Sequence, residues 1–179
     1  NDGRPALFTG GSSSGIGTSA SFWAANVGTE TSGSILSPSN QNMLVGIKPT
    51  YGRVPVTGVF PMAGSLDHVG PMCRTVADAA VLLGVLAEQP VDIDAVLDPH
   101  ALTGARLGVL RSHPAAHPDV NAMFEGHLRT LSRSGAVLVD PVELGHAGTH
   151  GPEVWLRTVD DQAAQDIVSL IRPEKSRPE

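Results

Sequence analysis

The chain has 179 residues, enough for one globular domain, and its 41% apolar and 17% charged residues are ordinary for a protein with a buried core. A net charge of −6, with no basic run longer than a dipeptide, disfavours nucleic acid and anionic membrane surfaces as partners. Cys73 is the only cysteine and no apolar stretch reaches about eighteen residues, so we expect a cytoplasmic protein without a disulfide or a membrane span.

The first half of the chain alternates clusters of small residues with apolar segments. Residues 1–9 have the composition of a loop, and GGSSSG follows at 10–15. The next apolar residues follow a helical spacing, which predicts a buried helix with one face formed by Ile16, Ala20, Trp23, Ala24 and Val27. A second small-residue cluster, GTETSGSIL, occupies residues 28–36, and residues 43–60 have the character of strands and turns.

Later elements have clearer boundaries. A helix is predicted from Val76 to about Glu88, because Thr75 and Asp78 have the spacing of an N-terminal capping box. Residues 106–111 and 136–140 read as strands, and a helix between them begins at Pro118 and stops at Gly135. Strand, helix and strand at this spacing predict a βαβ unit with parallel strands. A last helix is predicted at about 152–171, followed by a frayed tail at 172–179.

The two small-residue clusters need an explanation. Serine and glycine runs are most often plain turns, but these two flank a predicted buried helix and lead into apolar sequence. GGSSSG lacks the Gly-Lys-Ser/Thr ending of a Walker loop and only weakly echoes a dinucleotide fingerprint. We therefore expect no nucleotide cofactor, and no metal site.

Nucleophilic chemistry is the remaining interpretation. A serine hydroxyl needs a base to take its proton and backbone donors to hold the oxyanion that develops. Successive small residues from Thr31 to Ser34 permit a nest of main-chain N–H groups. The histidines begin only at His68, and no G-x-S-x-G elbow surrounds Ser34, so a base other than histidine is favoured.

Four blocks, GGSSSG, GTETSGSI, VGIKPTYGRV and SLDHVGPMCRTVADAAVLL, together resemble the amidase signature family in content and order. The resemblance implies an α/β fold in which a mixed β-sheet core is flanked by helices. Residues 1–179 would then form a partial amidase-signature domain. Its signature core would span 10–83, and a βαβ-like C-terminal portion would span 98–144.

The resemblance also implies a catalytic set. Ser34 matches the nucleophile, and Ser12 matches a bridging serine that follows a cis peptide bond, here Gly11–Ser12. Ser13 is the next choice for the bridging serine. The main-chain N–H groups of Thr31, Ser32, Gly33 and Ser34 match the oxyanion hole. A neutral lysine would draw the proton through Ser12, and no cofactor or metal is implied.

Three features depart from the family pattern. The family's lysine lies upstream of GGSSSG, whereas the lysines of this chain are Lys48, at a structural position of the IKPT motif, and Lys175. The segment between the two serine clusters is about two residues short, and Leu36 stands where many members have arginine. Since the chain also begins at Asn1, we expect that it lacks the N-terminal part of a larger protein.

The sequence thus predicts an amidase that cleaves the C–N bond of a small-molecule carboxylic amide through an acyl-enzyme on Ser34. Relatives include amidotransferase subunits that release ammonia from glutamine, so an oligomer or a partner subunit is also considered. The alternative is a truncated, catalytically incompetent member that acts as a binding or subunit-interaction module. The pair Asp67-His68 is interpreted as structural, and Cys73 as a buried small apolar residue.

Overall fold

The computed structural model of the chain describes residue 11 and residues 15–111 and 118–142. Ser12, the peptide bond before it, the predicted helix at 152–171 and the tail at 172–179 lie outside the described residues. The chain divides into two compact units, with the boundary between Ile93 and Asp94.

The first unit contains an antiparallel sheet of three strands. They are β1 (Ala25–Glu30), β2 (Val45–Gly46) and β3 (His68–Cys73), and β3 lies between the other two. In the ladder between β1 and β3, Ala25 faces Cys73 and Glu30 faces His68. Strand β2 pairs with the far end of β3, where Val45 also faces Cys73. The end of β1 and the start of β3 are therefore neighbours.

Sequence analysis did not predict strand β3, because Pro71 lies in its middle. Proline cannot donate a ladder hydrogen bond and normally argues against a central strand. Here its carbonyl still accepts a bond from the Ile47 N–H at 3.0 Å. Next to it, Gly70 lets the chain approach closely, because a methyl group there would lie 2.0 Å from the Ile47 carbonyl oxygen.

The helices of this part are α1 (Ile16–Ser19), α2 (Leu36–Gln41), α3 (Val76–Leu86) and the short α4 (Ile93–Val96), which spans the boundary between the units. The prediction for α3 and its cap is confirmed. The Thr75 hydroxyl accepts from the Asp78 N–H at 3.1 Å and donates to Asp78 Oδ2 at 2.7 Å. This reciprocal bonding fixes where α3 begins.

The predicted helix over 16–27 is wrong beyond Ser19. Helix α1 ends in a Schellman motif, in which Ser21 adopts φ 63° and the Phe22 N–H donates to the Gly17 carbonyl at 2.8 Å. Trp23 then folds back onto Gly17, and the chain enters β1. Sequence analysis missed this stop because serine, not glycine, holds the left-handed position.

The apolar face expected on that helix is consequently not buried. Ile16, Trp23 and Val27 are 55%, 52% and 50% exposed. Residues 25–30 pair with β3 along their whole length, and this tertiary pairing outweighs the helical spacing of the side chains.

The described core of the first unit is small. Val54, Val69 and Ala87 form its centre, with Val59, Leu83 and Leu86 packed against them. Cys73 is fully buried, as expected, and burial raises the pKa of its thiol, with a further contribution from the charge of Asp78. A neutral, buried thiol of this kind is unreactive.

The second unit confirms the predicted βαβ arrangement. Strand β4 (Arg106–Gly108) and strand β5 (Val137–Val139) are parallel, and Leu107 faces Leu138. Between them in the chain, α5 (Pro118–Arg133) begins at the predicted proline and is stopped by Gly135 at φ 91°. The α/β class expected from the sequence is therefore confirmed.

An ionic cluster links the residue Arg111, which follows β4, to Glu125 of α5 and to Asp140, which follows β5. The Arg111 guanidinium, just after β4, donates Nε to Asp140 Oδ1 at 2.7 Å and also bonds Asp140 Oδ2 and Glu125. It lies 5.8 Å from the centre of the Phe124 ring. The hydrogen bond from Arg111 lowers the pKa of Asp140, and the two carboxylates raise the pKa of Arg111.

Gly70→Ala should destabilise the first unit more than Gly58→Ala does. The methyl group at Gly70 would meet a backbone oxygen at 2.0 Å, and we expect a loss of about 3 kcal/mol in the free energy of unfolding. Gly58 has open space around it but φ 84°, so alanine there should cost about 1 kcal/mol. Urea unfolding of both variants measures the difference, and equal losses would contradict the close approach at β3.

Asp140→Asn should reduce the loss of thermal stability that the protein undergoes as the pH falls from 7 to 3. Because the pKa of Asp140 is lowered on folding, its ion pair stabilises the protein above the unfolded-state pKa of about 4 and is lost as pH falls through the folded-state value. Thermal unfolding at pH 7 and pH 3 should therefore differ less in this variant than in the wild type. Arg111→Met is the matched control and should give a similar reduction, which does not increase when both changes are combined.

Candidate active site

The two small-residue clusters meet at Gly11 and Ser34. A methyl group on Gly11 would lie 2.6 Å from Cα and 2.7 Å from Cβ of Ser34, and Gly11 itself has φ +95°. Both the space and the backbone angle therefore require glycine at this position. The main chain at Gly11, within the GGSSSG cluster, thus lies directly against Ser34, while the position of Ser12 stays a prediction.

The segment from Thr31 to Ser34 joins β1 to α2, and it is here called the oxyanion loop after the role that the family resemblance predicts for it. Gly33 adopts φ +122° with nothing near the position of a β-carbon, so its backbone angle alone favours glycine. Its carbonyl accepts a hydrogen bond from the Ser37 N–H at 2.8 Å, which begins the first turn of α2. Ser32 is exposed and Ser34 is half-buried. A hydroxyl at Ser34 is therefore held next to a tight backbone turn.

Ile35 anchors this loop to the sheet. Its side chain is completely buried and packs over two glycines, with Cγ2 3.2 Å from the β-carbon position of Gly46 and Cδ1 3.1 Å from that of Gly70. Larger residues at either glycine would push Ile35 outward and move the adjacent Ser34 with it.

Glu30 binds the main chain just past the end of the loop. The residue is 3% exposed, and Oε2 accepts hydrogen bonds from the main-chain N–H groups of Ile35 at 2.8 Å and Leu36 at 2.9 Å. Lys48 Nζ lies 4.0 Å from Oε1. Lys48 therefore balances the charge of Glu30, which agrees with interpreting it as structural and not as the base.

Asp67 contacts the start of the loop. It is 8% exposed, and Oδ1 accepts from the Thr31 hydroxyl at 2.5 Å. Oδ2 accepts from the N–H groups of Met62 at 2.8 Å and Ala63 at 2.9 Å. These contacts support the structural interpretation of Asp67. Its neighbour His68 places Nδ1 2.6 Å from the Leu66 carbonyl and its ring against Tyr51.

Sequence analysis did not single out Glu30, nor the link between Asp67 and Thr31. Most partners of these carboxylates are main-chain N–H groups, which leave no trace in the sequence. The available signals were only a charged residue inside an otherwise neutral cluster and an aspartate just before a strand.

Within residues 11, 15–111 and 118–142, no group of three or more histidine, cysteine, aspartate or glutamate side chains could hold a metal ion. In the same ranges, every helix is too short or too polar to traverse a lipid bilayer.

Comparison with known proteins places this geometry in a family. A family model described as Amidase matches residues 3–169. The chain belongs to the amidase signature family. Among curated members, it is 41% identical to a glutamyl-tRNA(Gln) amidotransferase subunit of Myxococcus xanthus, covering 95% of this chain and 41% of that protein. It is 37% identical to a probable amidase of Arabidopsis thaliana, covering 73% of this chain and 27% of that protein.

Solved amidase structures superpose on most of the chain. An amidase family protein from Bacillus anthracis matches with a TM-score of 0.74 and 32% identity over 91% of this chain and 34% of that one. The peptide amidase of Stenotrophomonas maltophilia matches with a TM-score of 0.68 and 30% identity over 89% of this chain and 39% of that one. This chain has the amidase signature fold over a part that is less than half the length of each of these members.

Glu30→Ala should destabilise the protein by about 2–3 kcal/mol, because two main-chain N–H groups would lose a buried, charged acceptor. Glu30→Gln is the matched control, since it keeps the shape and one acceptor oxygen and should lose less. Urea unfolding gives both values. A loss no larger in the alanine variant than in the glutamine variant would show that the carboxylate does not cap residues 35 and 36.

Proposed function

We propose that this chain carries the nucleophile of an amidase, which cleaves a carboxylic amide C–N bond through an acyl-enzyme on Ser34. The observation that carries this proposal is the close contact between Gly11 and Ser34, which brings one residue of each signature cluster together. Membership of the amidase signature family supports it.

The reaction proceeds in two halves. Ser34 Oγ bonds to the amide carbonyl carbon while its proton passes through Ser12 to a neutral lysine, and main-chain N–H groups of residues 31–34 hold the oxyanion. The C–N bond then breaks and the leaving amine takes the proton back along the same route. Water hydrolyses the ester by the reverse sequence of proton transfers, which releases the acid and restores Ser34.

The base is the part of this scheme that the described residues do not supply. Lys48 Nζ lies 4.0 Å from Oε1 of the buried Glu30, and we interpret it as the counter-charge of that carboxylate and not as the base. The scheme therefore requires a neutral lysine upstream of GGSSSG, where the family pattern puts it. If no such lysine reaches Ser12, the alternative function of a binding or subunit-interaction module applies.

The substrate class we propose is a small-molecule amide. Relatives named as a peptide amidase and as a glutamyl-tRNA(Gln) amidotransferase subunit differ in what they act on, and the latter is one component of a larger enzyme. A partner subunit is thus part of the proposal for this chain too. With its single cysteine buried at position 73, we assign the chain to the reducing cytoplasm.

Labelling with a fluorophosphonate tests the nucleophile, in protein that includes the upstream lysine which the scheme requires. We expect one adduct per chain, located on Ser34 by mass spectrometry of the digested protein, and none in Ser34→Ala. Hydrolysis of an anilide substrate should fall by roughly 10³-fold or more in the same variant, because no other group replaces the attacking oxygen.

Ser32→Ala is the matched control, since Ser32 is an exposed hydroxyl in the same loop and its main-chain N–H is kept. It should label at nearly the wild-type rate. A wild-type chain that is folded by circular dichroism yet remains unlabelled would overturn the catalytic proposal and favour the non-catalytic module.

A further inference from the structure

The register between β1 and β3 brings Thr31 and Asp67 together. Glu30 faces His68 in the last pair of the ladder, so Thr31 and Asp67 occupy the next position along it. Their side chains meet there, with Thr31 Oγ1 2.5 Å from Asp67 Oδ1. The contact is thus a consequence of strand pairing and not of a loop that happens to fold over.

Asp67 is itself firmly held. Its N–H and that of Leu66 both donate to the Ala63 carbonyl at 2.8 Å, which closes a tight turn. Its second carboxylate oxygen accepts from the N–H groups of Met62 and Ala63 across the same turn. The aspartate therefore has little freedom to move, and it offers Thr31 a rigid, charged acceptor.

The oxyanion loop is then fixed at both ends by buried carboxylates. Asp67 bonds the side chain of Thr31 at its start, and Glu30 bonds the N–H groups of Ile35 and Leu36 just past its end. Between these points lies Gly33, in a backbone conformation that few other residues adopt. A loop with a glycine at its centre needs such anchors to keep one conformation.

We propose that Asp67 is a positioning residue for the reaction at Ser34, acting through the hydroxyl of Thr31. The proposal rests on the function proposed above for Ser34. Asp67 touches neither the attacking oxygen nor the substrate in this scheme. It keeps the main-chain donors of the oxyanion loop in the orientation that the developing negative charge requires, so that no reorganisation is needed during attack.

Thr31→Val tests the link with little change in shape, because valine replaces the hydroxyl with a methyl group. We expect the rate of fluorophosphonate labelling at Ser34 to fall about 10–100-fold, since small displacements of positioned groups have effects of this size. Thr31→Ser restores the hydroxyl and should label within about 3-fold of the wild type. The unfolding midpoints of the valine and serine variants should be close to each other, which a purely structural role would not predict.

Asp67→Asn completes the test as a double-mutant cycle. If Asp67 acts through Thr31, the labelling rate of the double variant Thr31→Val, Asp67→Asn should equal that of the slower single variant. Fully multiplicative losses would show that the two residues act independently and would overturn the proposal.

Amide hydrogen exchange separates this inference from the proposed function. Thr31→Val should speed exchange in peptides that cover residues 31–36 and leave those of α5 unchanged. Wild-type labelling at Ser34 with no effect of Thr31→Val on labelling or exchange would leave the amidase proposal intact and refute the role of Asp67. Faster exchange in Thr31→Val, with no labelling of the wild type, would refute the amidase proposal while confirming that Asp67 orders the loop.

Discussion

The antiparallel pairing of β1 with β3 determines where the oxyanion loop and the carboxylates that hold it lie. This register sets Glu30 opposite His68, which brings the oxyanion loop next to the turn that ends at Asp67. A slip of one residue would turn Glu30 away from the buried side and separate Thr31 from its acceptor. The pairing therefore places the loop. The packing of Ile35 on the glycines of β2 and β3 then sets the distance between the loop and the sheet.

The charged residues around the loop serve the backbone. Glu30 and Asp67 are buried, and each accepts hydrogen bonds from main-chain N–H groups, so these charged hydrogen bonds offset the desolvation of the carboxylates. In this arrangement two carboxylates near a serine do not form an acid–base pair. They hold the main chain of the loop in one conformation, which is what the oxyanion hole that we propose there would require.

Glycine acts at this site through the absence of a side chain as well as through its backbone freedom. Gly11 and Gly70 allow main chain to touch main chain, and Gly33 gives a turn that few other residues adopt. By contrast, the first three helices are each followed, two residues after their last position, by a residue that holds a left-handed angle without being glycine, namely Ser21, Met43 and Glu88. The positions of glycine in the sequence therefore indicate close main-chain contacts better than they indicate where these helices end.

Local patterns in the sequence determined α3 with its cap and the two strands and helix of the βαβ unit, because capping, helical spacing and a terminal glycine act within a few residues of each other. The motifs also indicated Ser34 and its loop. Only the tertiary structure decided that residues 25–30 form a strand, that a strand runs through Pro71, and that Glu30 and Asp67 hold the loop. Each of these depends on partners that are distant in the chain or that are main-chain atoms, and neither kind of partner is recorded in the pattern of side chains along a single segment.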